Sequence, residues 1–164
     1  MGSELCLRDR STSIISGNDL SNLFESEAVK SKRIESKKKV LGELVGGNLS
    51  VISNMLGTKC IFNFKEKILL LEDVGEAPHK VYRNIQHLEH AGVFDQISGL
   101  VLGEFARCAH PKGLGPTTEE IFRKCFENKQ YPVYCTSSFG HGDINQSFPL
   151  FRRAELSADG LTLC

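Results

Sequence analysis

The chain has 164 residues, of which 40% are hydrophobic and 24% are charged. That composition is sufficient for one folded domain with a core, and it argues against a wholly disordered protein. Lysine and arginine together number 20, as do aspartate and glutamate, so the net charge gives no general attraction to nucleic acid or to an anionic membrane.

The sequence carries no targeting or membrane signal. None of its apolar runs approaches the roughly 18 residues of a membrane span, and the N-terminus lacks the apolar segment of a signal peptide. We therefore expect a cytoplasmic protein, with neither a membrane nor nucleic acid as a partner. The six cysteines are irregularly spaced and include no C-x-x-C pair, which predicts reduced, mostly buried thiols.

Residues 1–39 differ from the rest in being rich in serine, asparagine and charge. The segment Lys30–Lys39 places six basic residues against one acid. A nucleic-acid or membrane arm would use such a run, but this one is short and lacks interleaved aromatic residues, so a solvated linker is the better interpretation. We predict a flexible basic lead-in, or the remnant of an upstream domain, with one short helix within residues 18–29.

The globular part begins at Val40 with a glycine-rich stretch. Residues 42–58, GELVGGNLSVISNMLGT, predict a turn followed by a helix, with Asn48 as the N-cap and Gly57 as the stop. The apolar run Lys67–Leu71 then predicts a strand, and the acidic residues after it predict a loop.

The middle of the chain repeats this alternation of strand and helix. A helix beginning at Pro78 has one apolar face and ends near Gly92. The run Ile97–Phe105 is apolar at successive positions, which predicts a strand covered on both faces. A capping box formed by Thr117 and Glu120 starts a further helix.

The last part of the chain predicts two more features of a sheet. Residues 131–135 predict a third strand, residues 137–149 a long polar loop, and the C-terminal segment a hairpin turned at Asp159 and Gly160. Because strands and helices alternate, we predict an α/β fold with a mostly buried mixed sheet and flanking helices.

Two residues are candidates for chemistry because they follow predicted strands. Glu72 comes directly after Leu71, and His141 lies between Gly140 and Gly142 in the polar loop. Ligands of α/β proteins bind beyond the carboxyl ends of the strands. A carboxylate that accepts the Nδ1 proton of a histidine leaves Nε2 free to take a proton from a nucleophile. The residues alone leave open whether the two form such a pair or are a surface acid and a loop histidine bonded to the backbone.

Two clusters could bind a metal. Glu72, Asp73 and Glu76 have the oxygen ligands of a hard cation, but their spacing is not that of a calcium loop. We expect the latter two to shape the loop or to pair with lysine and arginine. His87 and His90 could form half of a transition-metal site, but we expect them to be solvent-exposed near a helix end.

Two further motifs also have a functional and a structural interpretation. Cys108 and His110 suggest a thiolate pair, yet no acid is next to them, and a loop is the better interpretation. The segment VGGNLS before the first helix could cradle an anion, but it lacks the lysine of a P-loop, and we favour structural support of a cleft.

Four segments of the globular part form an ordered set: GELVGGNLSVISNMLGT, ILLLEDVGEAPHKVYRNIQHLEHAG, ISGLVLGEF and SFGHGDINQSFPL. In this order they resemble the C-terminal domain of the LD-carboxypeptidase family of serine peptidases, which includes muropeptide LD-carboxypeptidases and microcin-immunity peptidases. The resemblance covers roughly Val40–Leu156. It implies that residues 40–164 form a domain of the swivelling β/β/α type.

The resemblance also implies a triad of Ser, Glu and His. The Glu of the family's LED motif corresponds to Glu72, and the His of its GH motif corresponds to His141. In relatives the serine belongs to a separate N-terminal domain. Residues 1–39 are too few to form that domain and contain no nucleophile elbow. We therefore expect the serine-bearing domain to come from elsewhere and this chain alone to be inactive.

The activity that the resemblance implies is hydrolysis of the L,D-peptide bond to a terminal D-alanine in muropeptides, without a metal or organic cofactor. It is also compatible with a homodimer. The alternative is a non-catalytic, truncated remnant that folds or dimerises without turnover. The chain departs from the family at His79 and at the Tyr82–Arg83 pair, where relatives show Tyr and Asp-Arg, and at Phe151, which replaces a usual glycine.

Overall fold

The computed structural model describes residues 39–110, 112–157 and 160–164. The predictions for the flexible lead-in and its short helix therefore lie outside the described residues. The elements in chain order are β1 (Val40–Asn48), α1 (Leu49–Met55), β2 (Lys67–Val74), α2 (Pro78–His90), β3 (Gly99–Ala106), α3 (Thr118–Phe126), β4 (Val133–Gly140), β5 (Arg153–Ser157) and β6 (Gly160–Leu163).

The strands form one sheet of six, in the order β4-β3-β2-β1-β5-β6. β1 to β4 pair in parallel, whereas β5 pairs antiparallel with β1 and with β6. The predicted α/β class, with a mixed sheet and flanking helices, is confirmed. So is the C-terminal hairpin, although Asp159 lies outside the described residues. Among the described helices, none combines the length and the apolar character needed to cross a bilayer.

The prediction of a glycine-rich turn before the first helix is wrong, because that segment is the end of a strand. β1 continues through Gly46 and Gly47 in register with Leu70 and Leu71 of β2. The two glycines have φ values of 151° and 145°, which L side chains rarely adopt. A Cβ at Gly46 would also collide with the main chain of Leu70. Glycine is thus required here for close strand packing rather than for a turn.

Two strands extend further than predicted. β2 runs on through Glu72 and Asp73 to Val74, so the expected acidic loop is wrong at these two positions. β4 runs on to Gly140 and takes in the first residues of the predicted polar loop. In β2, Glu72 and Asp73 remain in the strand because distant parts of the chain supply their hydrogen-bond partners, which a local pattern cannot show. In β4 the hydroxyls of Thr136 and Ser138 bond to each other.

The predicted helix starts are confirmed. Asn48 Oδ1 accepts the Val51 N–H at 3.1 Å, which is the predicted N-cap of α1. α2 has Pro78 in its first turn. At α3 the Thr117 hydroxyl accepts the Glu120 N–H at 3.2 Å, and the Glu120 carboxylate accepts the Thr117 N–H at 2.8 Å, which completes the capping box.

The sheet separates two apolar cores. Leu69 and Leu71 of β2 belong to the larger core, with the buried residues of the three helices, whereas Ile68 and Leu70 belong to a smaller core on the opposite face. Complete burial of one such side chain stabilises the fold by about 1.5–3 kcal/mol. β3 is divided in the same way, which confirms the prediction that it is covered on both faces. Because β2 and β3 are covered on both faces, their carboxyl ends hold the polar residues that follow them in a fixed position.

Candidate active site

The structure brings Glu72 and His141 into direct contact. Glu72 lies near the carboxyl end of β2 and His141 follows the last residue of β4, so the imidazole reaches across the carboxyl end of the intervening β3. His141 Nδ1 lies 2.7 Å from Glu72 Oε2. The two residues are 69 positions apart in the sequence, and the parallel order of the strands places them at one edge of the sheet.

This contact indicates which atom of the pair is available for reaction. An ionised carboxylate can only accept hydrogen bonds, so with Glu72 ionised the bond is donated by His141 Nδ1–H, and a neutral imidazole then keeps its lone pair on Nε2. The Glu72 side chain is 9% exposed and the His141 side chain is 55% exposed. The acid is therefore held within the protein while the imidazole is open to an incoming group. Its catalytic role remains a prediction.

Glycines on both sides of His141 allow the turn to lie against β3. Gly140 has a φ of 123°, and a Cβ there would come within 2.8 Å of the Glu104 carbonyl oxygen. A Cβ at Gly142 would collide with the Glu104 carboxylate. Within the described residues the Glu104 carboxylate has no hydrogen bond or ion pair. The pattern of glycines correctly indicated a close approach, but the sequence did not identify Glu104 as the neighbour.

Asp73 forms a network that the sequence analysis missed. It is 2% exposed and accepts hydrogen bonds from Asn48 Nδ2 at 2.9 Å, the Ser50 N–H at 3.1 Å and the Ser50 hydroxyl at 2.7 Å. Its Oδ1 also accepts the Val74 N–H at 2.8 Å, and Asn84 Nδ2 donates to the Ser50 hydroxyl at 3.0 Å. The network ties β1, β2, α1 and α2 together beside Glu72.

These contacts test what was expected of Asp73 and Glu76, and whether the segment VGGNLS could cradle an anion. We expected Asp73 and Glu76 to shape the loop or to pair with lysine or arginine. Asp73 accepts hydrogen bonds from the start of α1 and has no described lysine or arginine partner, whereas Glu76 pairs with Lys80 at 3.2 Å. The N–H groups of Ser50 and Val51 are already bonded to Asp73 and to the N-cap. An anion would find these donors occupied.

The remaining clusters have structural explanations. His87 and His90 are both exposed on α2, as expected, and His87 Nδ1 lies 2.9 Å from the Ser53 hydroxyl. His110 Nδ1 accepts the Lys112 N–H at 3.2 Å. Within the described ranges no three His, Cys, Asp or Glu side chains are grouped so that they could hold a metal ion.

The five described cysteines are all free. Burial raises the pKa of the Cys108 thiol and raises that of Cys135 to about 11, so both favour the unreactive neutral form. Cys108 is buried, Cys125 and Cys135 are partly buried, and Cys60 and Cys164 are exposed, so the prediction of mostly buried thiols is wrong for the described cysteines. Cys6 lies outside the described residues.

Comparison with known proteins finds similarity to one protein family. The model of the LD-carboxypeptidase C-terminal domain matches residues 41–156. A Synechocystis protein that bears a carboxypeptidase name is 37% identical over 123 residues, which cover 74% of this chain and 41% of that protein. The murein tetrapeptide carboxypeptidase of Pseudomonas aeruginosa is 32% identical over 126 residues, covering 76% and 41% respectively. The chain thus spans about two fifths of the length of these relatives.

Solved structures give the same fold. The crystal structure of muramoyltetrapeptide carboxypeptidase from Oxalobacter formigenes matches with a TM-score of 0.69 and 28% identity, over 79% of this chain and 46% of that one. The structure of MccF in complex with glutamyl sulfamoyl guanosine matches with a TM-score of 0.68, over 78% of this chain and 39% of that one. At 23% identity the second likeness concerns the fold alone.

Proposed function

Because the chain belongs to the LD-carboxypeptidase family, with residues 41–156 matching that family's C-terminal domain, we propose that it supplies Glu72 and His141 to a serine LD-carboxypeptidase. The substrate is a muropeptide, and the bond cleaved joins an L-configured centre to a terminal D-alanine. The observation that carries the proposal is the 2.7 Å contact between His141 Nδ1 and Glu72 Oε2. Family membership alone would not require these atoms to meet.

In the proposed reaction the His141 imidazole acts first as a base and then as an acid. Nε2 takes the proton of a serine hydroxyl while the serine oxygen attacks the carbonyl carbon of the scissile bond. The imidazolium is stabilised by Glu72, and its Nε2 proton passes to the amino group of the departing D-alanine. A water molecule then attacks the acyl-enzyme with the same proton transfers, which releases the shortened peptide and restores the serine. These steps require neither a metal nor an organic cofactor.

The serine is proposed to come from outside the described part of the chain. Among residues 39–110, 112–157 and 160–164, no hydroxyl group hydrogen-bonds to His141. In such an arrangement the imidazole is oriented by Glu72 but has nothing to activate until a serine-bearing domain docks. We propose that the assembled enzyme works in the cytoplasm, as a homodimer, without a membrane or nucleic-acid partner.

A chimeric protein tests this proposal. The N-terminal domain of the Pseudomonas aeruginosa relative is joined to residues 40–164 of this chain, and D-alanine release from a muropeptide tetrapeptide is measured. We expect turnover by the chimera and none by the chain alone. Glu72→Gln or His141→Ala in the chimera should reduce turnover by on the order of a thousandfold or more. His90→Ala, which changes an exposed histidine of α2, should leave the rate unchanged.

Two results would contradict the proposal. Efficient cleavage by the chain alone would show that its nucleophile lies within the 164 residues. A folded chimera without turnover would favour the alternative, a non-catalytic remnant that folds or dimerises. Thermal unfolding of the chimera, monitored by circular dichroism, separates that outcome from simple misfolding.

A further inference from the structure

Strand β1 is paired on both sides only along its first part. β5 pairs with β1 from Val40 to Glu43, and the ladder ends at Leu44, whose N–H donates to the Arg152 carbonyl at 2.9 Å and whose carbonyl accepts the Phe151 N–H at 2.8 Å. From Val45 to Asn48, β1 has β2 on one side and no described strand on the other. We call these four residues the open edge.

Phe151 is where the neighbouring chain leaves β1. Its φ is 63°, in the left-handed region that a bulky aromatic residue rarely adopts, and its side chain is 60% exposed. Beyond this turn, no strand among the described residues continues beside the open edge. Such strained residues cost of order 1–3 kcal/mol and tend to occur at functional sites, where the surrounding structure maintains them.

The open edge leads directly to the candidate active site. Asn48 is the register partner of Glu72, so the edge ends beside the Glu72–His141 pair. Gly46 and Gly47 carry no side chains that would shield the main chain, and both are partly exposed. The position of a Cβ on Gly47 has no heavy atom within 4 Å. A second main chain could therefore approach the edge at these two glycines, whereas Val45 is buried.

We propose that the open edge binds the main chain of the peptide substrate as an added strand. This inference rests on the proposed function and adds to it how the substrate is held. Extended peptides bind sheet edges through main-chain hydrogen bonds, which give affinity largely independent of side-chain identity. Four strand residues span about 13 Å, which accommodates a short peptide of similar length.

The chemistry also sets the direction of the bound peptide. A carboxypeptidase cleaves next to the carboxyl end of its substrate, so that end must lie at His141. The preceding residues then extend back along β1 toward Phe151, and the added strand is parallel to β1. The exposed side chains of Leu150 and Phe151 flank the start of this path and offer apolar contact to the amino-terminal part of the substrate.

A nuclear magnetic resonance titration tests the proposal on the full chain. The probe is a tetrapeptide with an L residue before a terminal D-alanine, together with single N-methyl derivatives at each amide. We expect the peptide to slow amide exchange within Val45–Asn48. N-methylation should weaken binding about three- to tenfold per lost hydrogen bond, and only at alternate amides, because successive amides of a strand face opposite sides. The amides that face away are the matched control.

Three results would overturn the proposal. In the first, resonances of His141 shift while those of the open edge do not, which leaves the Glu72–His141 mechanism intact and rejects only the strand. In the second, the N-methyl derivatives bind as well as the unmodified peptide, or lose affinity equally at every position. In the third, the open edge is protected from exchange without peptide in a manner that depends on protein concentration, which would identify a second copy of the chain as its occupant.

Discussion

The ends of β2 and β1 lie side by side at one edge of the sheet, yet they are completed in different ways. At the end of β2 the side chains of Glu72 and Asp73 have partners within the chain. At the end of β1 the main chain from Val45 to Asn48 is paired with β2, and no other described strand lies on its second side. Folding therefore supplies hydrogen-bond partners for the carboxylates at the end of β2. Along the open edge of β1, main-chain groups on the second side have no described strand as a partner.

This difference follows from the cost of leaving polar groups unpaired. A buried carboxylate without partners would strongly destabilise the fold, so Asp73 can occupy its position only because α1 and β1 supply donors. Gly46, Gly47 and Asn48 of the open edge are partly exposed, so water can hydrogen-bond to their main chain until a ligand replaces it. Its short length limits unwanted pairing with other sheets.

The largest effect is expected from removing Asp73, the centre of the hydrogen-bond network at the end of β2. Asp73→Ala deletes a buried acceptor and leaves the donors of Asn48 and Ser50 unsatisfied, so the free energy of unfolding should fall by about 3 kcal/mol. Urea denaturation measures the change. Asp95→Ala removes an exposed acid and should change the free energy by less than about 0.5 kcal/mol. A loss below about 1 kcal/mol for Asp73→Ala would show that the network does not hold this region together.

The next effect compares two adjacent positions at the end of β1. A methyl group at Gly46 collides with the main chain of Leu70, whereas one at Gly47 meets open space, and both residues have φ values unsuited to alanine. Gly46→Ala should therefore lower the free energy of unfolding by about 2 kcal/mol more than Gly47→Ala does. Equal losses of unfolding free energy in urea denaturation would contradict the close approach of Leu70 to Gly46.

The smallest effect concerns the residue that ends the β5 ladder. Phe151→Gly should raise the free energy of unfolding by about 1 kcal/mol relative to Phe151→Ala, because glycine adopts a φ of 63° without a Cβ penalty. The alanine variant is the matched control for the lost aromatic side chain. Thermal and urea denaturation of both variants provide the comparison. A glycine variant no more stable than the alanine variant would argue against strain at this turn.

Local patterns predicted the helices well but not the strand ends. The apolar face and Pro78 defined α2, and Thr117 with Glu120 defined the start of α3, since these signals lie within a few residues of one another. Gly46 and Gly47 suggested a turn because glycine is common in turns. Their actual role, close approach to β2, depends on a strand more than 20 residues away.

The candidate site was predictable in its members but not in its supports. Glu72 and His141 were selected by their positions after predicted strands and by family resemblance, and the structure places them in contact. Sequence spacing could not show that Asp73 bonds to Asn48 and Ser50, because that network requires four elements to assemble first. The N-cap signal at Asn48 was visible, but its amide donor had no predicted acceptor.

The most direct test of the account is the tautomer of the neutral His141 imidazole in the folded chain. Correlating its ring nitrogens and protons by nuclear magnetic resonance in a ¹⁵N-labelled sample measures that tautomer. If Glu72 accepts from Nδ1, the Nδ1-protonated form should dominate, with Nε2 bearing the lone pair that activates a serine. Glu72→Leu removes the acceptor and should shift His141 toward the Nε2-protonated form. Dominance of the Nε2-protonated form in the unaltered chain would contradict the proposed role of the pair.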